Sequence, residues 1–414
     1  MKVVPPGESP IDEHATSPWR TLLIALAVIY LGFWMGFSYM VVIVAVIMMI
    51  FMHELGHYLT ARWSGMKVSE FFIGFGPRIW SFHRGETEYG VKAIPAGAYV
   101  RIIGMSNLEE IDPADEDRTY RAKPYWRRMS VALAGSTMHF LMAFALAFTV
   151  FAGFGLANAH ASSWTVGNIV KPSAAQTAGL RVGDHIGAVD GRSFSTFQAM
   201  SKYLQGRPGA DVTLDVVRNG QHQRVDVTLA AHRPNDTARV GFLGVGPTFP
   251  KERLSPPSAI ARSGREFWTI TKMSVTGLGH LVSPKGVSRY VDTLTHPEAA
   301  TTASDAAAKG RPTSVVGIVE IGGQIARDGW VNVVYLLFAV NVFIGLFNLI
   351  PMLPFDGGHA AIATYEKIRS LVSGRRYQAD VAKMLPFTYA MVLALAFLFV
   401  TSIYLDIAHP VSLR

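Results

Sequence analysis

Four stretches of the chain contain no Asp, Glu, Lys or Arg and are long enough to cross a lipid bilayer, which takes about 20 apolar residues. These stretches cover residues 21–52, 129–157, 329–355 and 384–405. The pattern therefore predicts a membrane protein with at least four helical spans.

The first stretch is too long for one upright span. Its 32 residues would form a helix of roughly 48 Å, whereas the hydrocarbon core of a bilayer is about 30 Å thick. Either two short helices separate near Gly36, or one long helix is tilted. The expected number of spans is accordingly four or five.

Positive charge is distributed unevenly between the spans. Residues 58–128 contain 11 Lys and Arg and residues 356–383 contain five, whereas the flanks 156–170 and 314–328 contain only Arg327. Because cytoplasmic loops are enriched in Lys and Arg, the first two segments are expected inside the cell and the central region outside. The ends of the first and third stretches then lie on the same cytoplasmic side.

The pattern changes between the second and third stretches to short runs of alternating apolar and polar residues. These runs are 165–170, 186–191, 212–218 and 223–229. Asn219-Gly220 separates the last two, and Asn-Gly between alternating runs is a strong signal of a β-hairpin. A small β-rich module inserted between two spans is expected.

Residues 173–191 of this module resemble the PDZ domain in its bacterial, circularly permuted form. The resemblance implies a fold that binds extended peptides by adding them as a strand to its sheet. The alternative is a module that only fills space beside the membrane part.

Composition agrees with a membrane protein and restricts its chemistry. Half of the residues are apolar, only 16% are charged, and the net charge of +8 is not gathered into one basic run. Binding to nucleic acid is therefore not expected. The chain has no cysteine, so a metal would have to be bound by His and carboxylate side chains.

Three ionisable residues stand together at the cytoplasmic end of the first stretch, in the sequence His53-Glu54-Leu55-Gly56-His57. Residues four apart share one face of a helix, so both imidazoles can bind one cation. Glu54 lies on the adjacent rim, where it can act as a general base. Ionisable groups are costly at membrane depth, so this cluster predicts a functional metal site.

A catalytic zinc ion usually has three protein ligands, and the third must come from elsewhere in the chain. The third stretch ends in a segment with two prolines, followed by Asp356, two glycines and His359. Proline ends the helix there, so Asp356 is presented at the same cytoplasmic side as His57. From spacing alone, His359 is an alternative third ligand.

These features resemble the site-2 protease family of intramembrane zinc metalloproteases, and most closely its bacterial members that regulate sigma factors. The resemblance rests on His-Glu-Leu-Gly-His in the first span, on Asn348 to Gly358 in the third, and on the PDZ-like module. It extends from about residue 37 to residue 405.

The resemblance implies a role for each matching residue. His53, His57 and Asp356 would bind Zn²⁺, Glu54 would be the catalytic general base, and Asn348 would lie near the substrate. Residues 74–77 and 85–100 resemble the membrane-associated β-hairpin of the family. Gly97 and Tyr99 of this hairpin would bind the substrate strand.

Two positions depart from the family pattern. The second span of the family usually has Gly-Pro-x-x-Asn, where this chain has Gly135, Ser136, Thr137, Met138 and His139. Ala98 also replaces a usual glycine. His139 either substitutes for the family asparagine as a polar partner or is a hydrogen-bonded packing residue.

The resemblance implies a protease that hydrolyses a peptide bond in the transmembrane segment of a membrane protein, such as an anti-sigma factor. Its expected location is the bacterial plasma membrane, with the active site toward the cytoplasm and the PDZ-like module outside. A receptor with a structural zinc ion is a second interpretation, but two His and one Asp leave a coordination position open. A transporter is a third, and it lacks support because the sequence has no internal repeat.

The expected fold class is a polytopic α-helical membrane protein with an inserted β-rich PDZ-like domain and a membrane-associated β-hairpin. The expected segments are an N-terminal tail (1–20), the first membrane segment (21–62), a cytoplasmic loop with the hairpin (63–128), the second span (129–157), the PDZ-like domain (162–232), an external linker (233–328), the third span (329–356), a cytoplasmic loop (357–383) and the fourth span (384–406).

Overall fold

The computed structural model describes residues 36–105, 110–158, 161–233, 238–301, 306, 310–326 and 329–411. The expected N-terminal tail and residues 21–35 of the first apolar stretch lie outside the described residues. Residues 149–260 form one compact unit, and the described residues on either side of it form another.

The unit formed by the described residues on either side of 149–260, here called the membrane unit, consists mostly of helices. In chain order the α-helices are α1 (Phe37–Trp63), α2 (Tyr125–Phe148), α3 (Ala174–Thr177), α4 (Phe197–Gln205), α5 (Pro256–Val282), α6 (Pro284–Thr295), α7 (Val315–Ala326), α8 (Trp330–Asn348), α9 (Asp356–Ser373) and α10 (Leu385–Ala408). Of these, α3 and α4 belong to the inserted unit. Short 3₁₀-helices cover Pro113–Arg118, Pro297–Ala300 and Val381–Met384, and a π-helical turn, Thr149–Phe154, extends α2.

Four segments in the described part of the chain are long and apolar enough to cross a membrane. They are Phe37–Trp63, Tyr125–Phe154, Trp330–Asn348 and Val381–Ala408. Together with the inserted β-rich unit described below, they confirm the expected polytopic helical fold with a β-rich insertion.

The first span begins at a glycine. Gly36 has a φ of 95°, which is incompatible with a right-handed helix, so α1 starts at Phe37. The expected choice between one and two helices in residues 21–52 concerns residues 21–35, which lie outside the described residues.

The spans pack through small and branched apolar side chains. Helix α1 lies against α7 and α8 in a buried cluster that consists of Val42, Val46, Met49, Val319, Ala326, Val333, Leu337 and Val340. Gly322 and Gly323 of α7 lie directly against Val42 and Tyr39 of α1. Small residues at such contacts let the helix backbones approach closely.

A buried ion pair joins the segment before the third span to the end of the fourth. Nη2 of Arg311 donates to Oδ1 of Asp406 at 2.8 Å, and both side chains are almost completely buried. The Ser314 backbone N–H donates to the other carboxylate oxygen at 2.7 Å. The charge of Asp406 is thus compensated on both oxygens.

Two long strands, β1 (Val68–Arg84) and β2 (Thr87–Ile102), follow the first span. Both strands double back, so that Phe71 pairs with Val100 on one side and with Tyr89 on the other. The bend of β1 lies at Gly74 and Gly76, which have φ values of 89° and 81°, a conformation that glycine adopts without strain. In the described residues, the segment 98–102 has a strand partner on one side only.

The inserted unit contains the short strands. They are β3 (Leu156–Ala157), β4 (Thr165–Ile169), β5 (His185–Val189), β6 (Arg192–Ser193), β7 (Asp211–Arg218), β8 (Gln221–Thr228), β9 (Ala230–His232), β10 (Arg239–Phe242), β11 (Val245–Thr248) and β12 (Lys251–Glu252). The largest sheet has the order β6-β5-β7-β8, and β4 pairs with β11, β9 with β10, and β3 with β12.

Alternation along these strands builds one core. Val212, Leu214 and Val216 of β7 point inward and are buried with Trp164 and Met200. Asn219 and Gly220 both have positive φ, as the predicted two-residue hairpin turn requires. The Arg218 guanidinium, bonded to Asp184, holds the pKa of that carboxyl below its usual range.

The β-rich unit extends beyond the expected range of 162–232. Strand β11 pairs with β4, so residues 245–248 belong to the same fold. The expected external linker, 233–328, also contains β10, β12 and the helices α5 to α7. Strands of two to four residues carry too little alternation to be recognised in a sequence.

Candidate metal centre

Two histidines on α1 and one aspartate at the start of α9 converge on one point. Nε2 of His57 lies 3.2 Å from Nε2 of His53 and 3.2 Å from Oδ2 of Asp356. Nε2 of His53 lies 3.4 Å from the same carboxylate oxygen. Among the described residues, these three side chains form a group of possible metal ligands, with one ligand atom from each, and these atoms all lie within 4.8 Å of one another.

The spacing of these atoms fits a tetrahedral zinc site. Ligand atoms about 2.0–2.1 Å from zinc at tetrahedral angles are about 3.3 Å apart, which matches the three distances above. Nδ1 of His57 lies 2.8 Å from the buried carbonyl oxygen of Val131. Since Nδ1 must donate in that hydrogen bond, Nε2 of the neutral ring keeps a lone pair directed at the centre.

Close approach of α1 and α2 positions the histidines. A Cβ atom at Gly56 would lie 2.9 Å from the carbonyl oxygen of Ala134, so only glycine lets the two backbones meet there. Gly135 faces the imidazole of His53, and a Cβ atom at this position would overlap the ring. The two glycines therefore allow both imidazoles to lie between the helices.

Asp356 is the first residue of α9. The segment between α8 and α9 contains Pro351 and Pro354, which prevent α8 from continuing. A Cβ atom at Gly357 would overlap the carbonyl of Leu349, so the first turn of α9 packs directly on that segment. His359, the alternative third ligand, instead contacts the ring of Tyr120, with ring centroids 6.3 Å apart.

A buried ion pair fixes α9 on α2. Nη1 of Arg128 donates to Glu366, whose other carboxylate oxygen accepts from the Ala379 N–H at 2.7 Å. Nothing in the sequence singles out this pair, because Glu366 stands among ordinary charged residues of the segment 357–383. It links the helix that carries Asp356 to the helix that faces both histidines.

Glu54 lies beside the three converging side chains and is not part of their group. Its carboxylate is partly buried and lies near the backbone of Val100 in β2. The general-base candidate is thus held between the metal centre and the segment 98–102.

The expected substrate-binding residues occupy different surroundings. Gly97 is buried against the ring of Phe75. The Tyr99 hydroxyl donates to Glu70 and accepts from Nζ of Lys92 at 2.7 Å. Asn348 is the last residue of α8 and is partly buried.

The second span contributes two buried polar residues near the centre. Nδ1 of His139 lies 2.9 Å from Oδ1 of Asn341 on α8, and the His139 and His53 rings are 5.1 Å apart. The Ser136 hydroxyl is buried and has no hydrogen-bond partner within the described ranges. Asn341 was not expected, although it is one of three asparagines in this largely apolar span, and an amide in the middle of such a span is a recognisable signal.

Comparison with known proteins agrees with this geometry. Residues 41–395 match the model of Peptidase family M50. The chain is 30% identical to "Zinc metalloprotease Rip1" of Mycolicibacterium smegmatis, over 91% of this chain and 99% of the relative. It is 31% identical to the protein of the same name from Mycobacterium tuberculosis, over 89% and 96% of the two chains.

A solved structure matches a smaller part of the chain. It is the PDZ domain of an SdrC-like protein from Listeria monocytogenes, with 21% identity and a TM-score of 0.19, and the match covers 21% of this chain and 87% of that one. The family match, in contrast, covers most of the chain and confirms the resemblance found in the sequence. The chain belongs to Peptidase family M50, the site-2 proteases, and is a membrane-embedded metalloprotease with zinc as its cofactor.

Proposed function

We propose that this protein hydrolyses a peptide bond within the transmembrane segment of a membrane-protein substrate. His53, His57 and Asp356 bind the zinc ion, and Glu54 is the general base. The observation that carries this proposal is the convergence of three ligand atoms at 3.2–3.4 Å, two of them on an apolar helix. A site embedded in a span favours substrates that are themselves in the bilayer.

Different groups of the protein have different roles in the proposed reaction. When bound, zinc would polarise the scissile carbonyl and make a water molecule more acidic. Glu54 accepts a proton on its carboxylate and later delivers it to the leaving amine. The Val131 carbonyl holds the His57 ring in the tautomer that binds metal.

The hairpin is proposed to hold the substrate as an added strand. A substrate helix hides its carbonyls in internal hydrogen bonds and must unwind before cleavage, and pairing with a strand replaces those bonds. The segment 98–102 supports this role, because Val100 contacts Glu54 and the described residues supply a partner on one side only. Gly97, Tyr99 and Asn348 are proposed to border the bound strand.

We further propose a bacterial plasma-membrane location, with the metal centre toward the cytoplasm and an anti-sigma factor or a similar signalling protein as substrate. The uneven distribution of Lys and Arg supports the orientation. The likeness to bacterial regulators supports the substrate class.

Glu54→Gln tests the mechanism. We expect the rate of cleavage of a transmembrane substrate in detergent to fall by at least about 100-fold, because the amide cannot accept the proton. Zinc content by elemental analysis should stay at the wild-type value, since Glu54 is not a ligand. Loss of zinc in this variant would contradict the assignment.

The natural substrate can be found with the same variant. Membrane fragments that are present in cells with the wild-type protein and disappear with Glu54→Gln are products of this protease. Absence of any anti-sigma factor among their parent proteins would contradict the proposed substrate class.

A further inference from the structure

A third buried imidazole lies beside the candidate metal centre. His139 of α2 is almost completely buried, and its ring plane is inclined by 48° to that of His53 at a centroid distance of 5.1 Å. It does not belong to the group of three ligand-type side chains.

Asn341 fixes which nitrogen of His139 carries hydrogen. Nδ2 of Asn341 donates to the carbonyl of Leu337 at 2.8 Å, so its Oδ1 is the atom that faces Nδ1 of His139 at 2.9 Å. An amide oxygen only accepts, and Nδ1 must therefore be the donor. Nε2 of the neutral His139 ring is left as a hydrogen-bond acceptor.

His53 requires a hydrogen-bond acceptor for its outer ring nitrogen. Its Nε2 faces His57 and Asp356, so Nδ1 is its outer nitrogen. That Nδ1 is buried and makes no hydrogen bond of normal geometry in the described residues. Histidines that bind a metal almost always donate their second N–H to an acceptor, as His57 does to Val131.

Two groups are near enough to be that acceptor, the backbone of Gly135 and the ring of His139. Two imidazoles that share a hydrogen bond of about 2.9 Å have centroids about 5.2 Å apart, close to the observed separation. The separation of the rings therefore permits a hydrogen bond between Nδ1 of His53 and Nε2 of His139.

We propose that His139 is a positioning residue for the zinc ligand His53, accepting a hydrogen bond from its Nδ1–H through Nε2. The chain of bonds runs from Leu337 through Asn341 and His139 to His53, and it joins α8, α2 and α1. The inference rests on the proposed function, in which His53 binds zinc. It gives His139 a role distinct from packing.

Zinc affinity, measured by competition with a chelator on the full-length protein in detergent, tests the proposal. His139→Phe keeps the ring and removes both nitrogens, and Asn341→Leu keeps the size of the side chain and removes the group that sets the tautomer. We expect each to weaken zinc binding by about 10- to 100-fold. The zinc affinity of the double variant should be scarcely lower than that of either single variant, because both changes break the same chain of hydrogen bonds.

Two further variants separate positioning from packing. His139→Gln places an amide near the position of Nε2 and should restore much of the affinity that His139→Phe loses. Ser136→Ala removes another buried polar group from the same helix and should bind zinc like the wild type. The metal-free variants should keep the helical content of the wild type, measured by circular dichroism.

The outcomes distinguish this inference from the proposed function. Wild-type zinc affinity in His139→Phe, with zinc lost in Asp356→Ala, would overturn the role of His139 and leave Gly135 as the partner of His53. Zinc retained in Asp356→Ala would overturn the proposed metal site and this inference with it.

Discussion

The proposed third zinc ligand is a single carboxylate 299 residues away in the chain from His57. It begins a helix whose first turn is pressed against the preceding segment by Gly357 and Gly358. The identity of this ligand therefore depends on the way in which α9 starts.

Asp356→Ala should remove zinc and activity together, because a site with two histidine ligands binds the metal weakly. His359→Ala should keep bound zinc, since the imidazole of His359 contacts Tyr120 and not the centre. Elemental analysis of both purified variants checks this. The opposite pattern would assign the ligand to His359.

The sequence predicted the two histidines more directly than the aspartate. His53 and His57 are one helical turn apart, so their convergence follows from local geometry. Asp356 and His359 lie within one helical turn of each other, so the choice between them depends on the orientation of α9, which residue types do not specify. The Val131 carbonyl was inaccessible to prediction because every residue has one.

At the scale of elements, the centre depends on how closely α1 and α2 approach. Gly56 and Gly135 are the contact points, and both face groups of the opposite helix. An interface between spans that is this tight has no space for an added methyl group.

Gly135→Ala should weaken zinc binding by about 10-fold or more, because the new methyl group displaces the His53 ring from its position. Gly153→Ala is a matched control in the same span, where the nearest atom would be 3.8 Å from the added Cβ. Chelator competition measures both. Equal affinity in the two variants would show that the His53 ring tolerates the shift.

The spans were predictable because each is a long uncharged run, and a helix that crosses the bilayer must be apolar over the whole thickness of the hydrocarbon core. The strands β10 to β12 and the helix α5 were missed for the opposite reason. The strands are very short, and α5 mixes apolar residues such as Trp268 with charged residues such as Lys272. Their structure depends on tertiary contacts with other parts of the chain, which a local sequence pattern does not show.

At the scale of the whole molecule, the proposed orientation places Ser195 and Ser373 on opposite sides of the membrane. Both residues are exposed, and the chain has no cysteine. Ser195→Cys in intact cells should react with a membrane-impermeant thiol reagent, and Ser373→Cys should react only after lysis. The reverse labelling would invert the topology.

The inserted unit is proposed to control which substrates reach the centre. Its first and last strands, β3 and β12, pair with each other, with Ala157 opposite Lys251. The residues between them can therefore be replaced by a short glycine linker without separating the flanking chain ends. A deletion of 162–232 alone would leave β11 without its partner β4.

Excision between Ala157 and Lys251 should allow cleavage of membrane proteins that still carry a bulky external domain, because a folded unit can exclude such substrates. Cleavage should still require Glu54. Fragment analysis of a test protein with and without its external domain measures the effect. If the shortened enzyme binds zinc and cleaves neither form, the unit recruits substrates.

The buried pair of Arg311 and Asp406 also bears on how the protein is made. Arg311 is synthesised before the third span and Asp406 at the end of the fourth, so the ribosome completes two spans before the arginine meets its counter-charge. A chain that ends before Asp406 leaves Arg311 without this counter-charge. Truncation before Asp406 should therefore destabilise the packing of the segment before the third span.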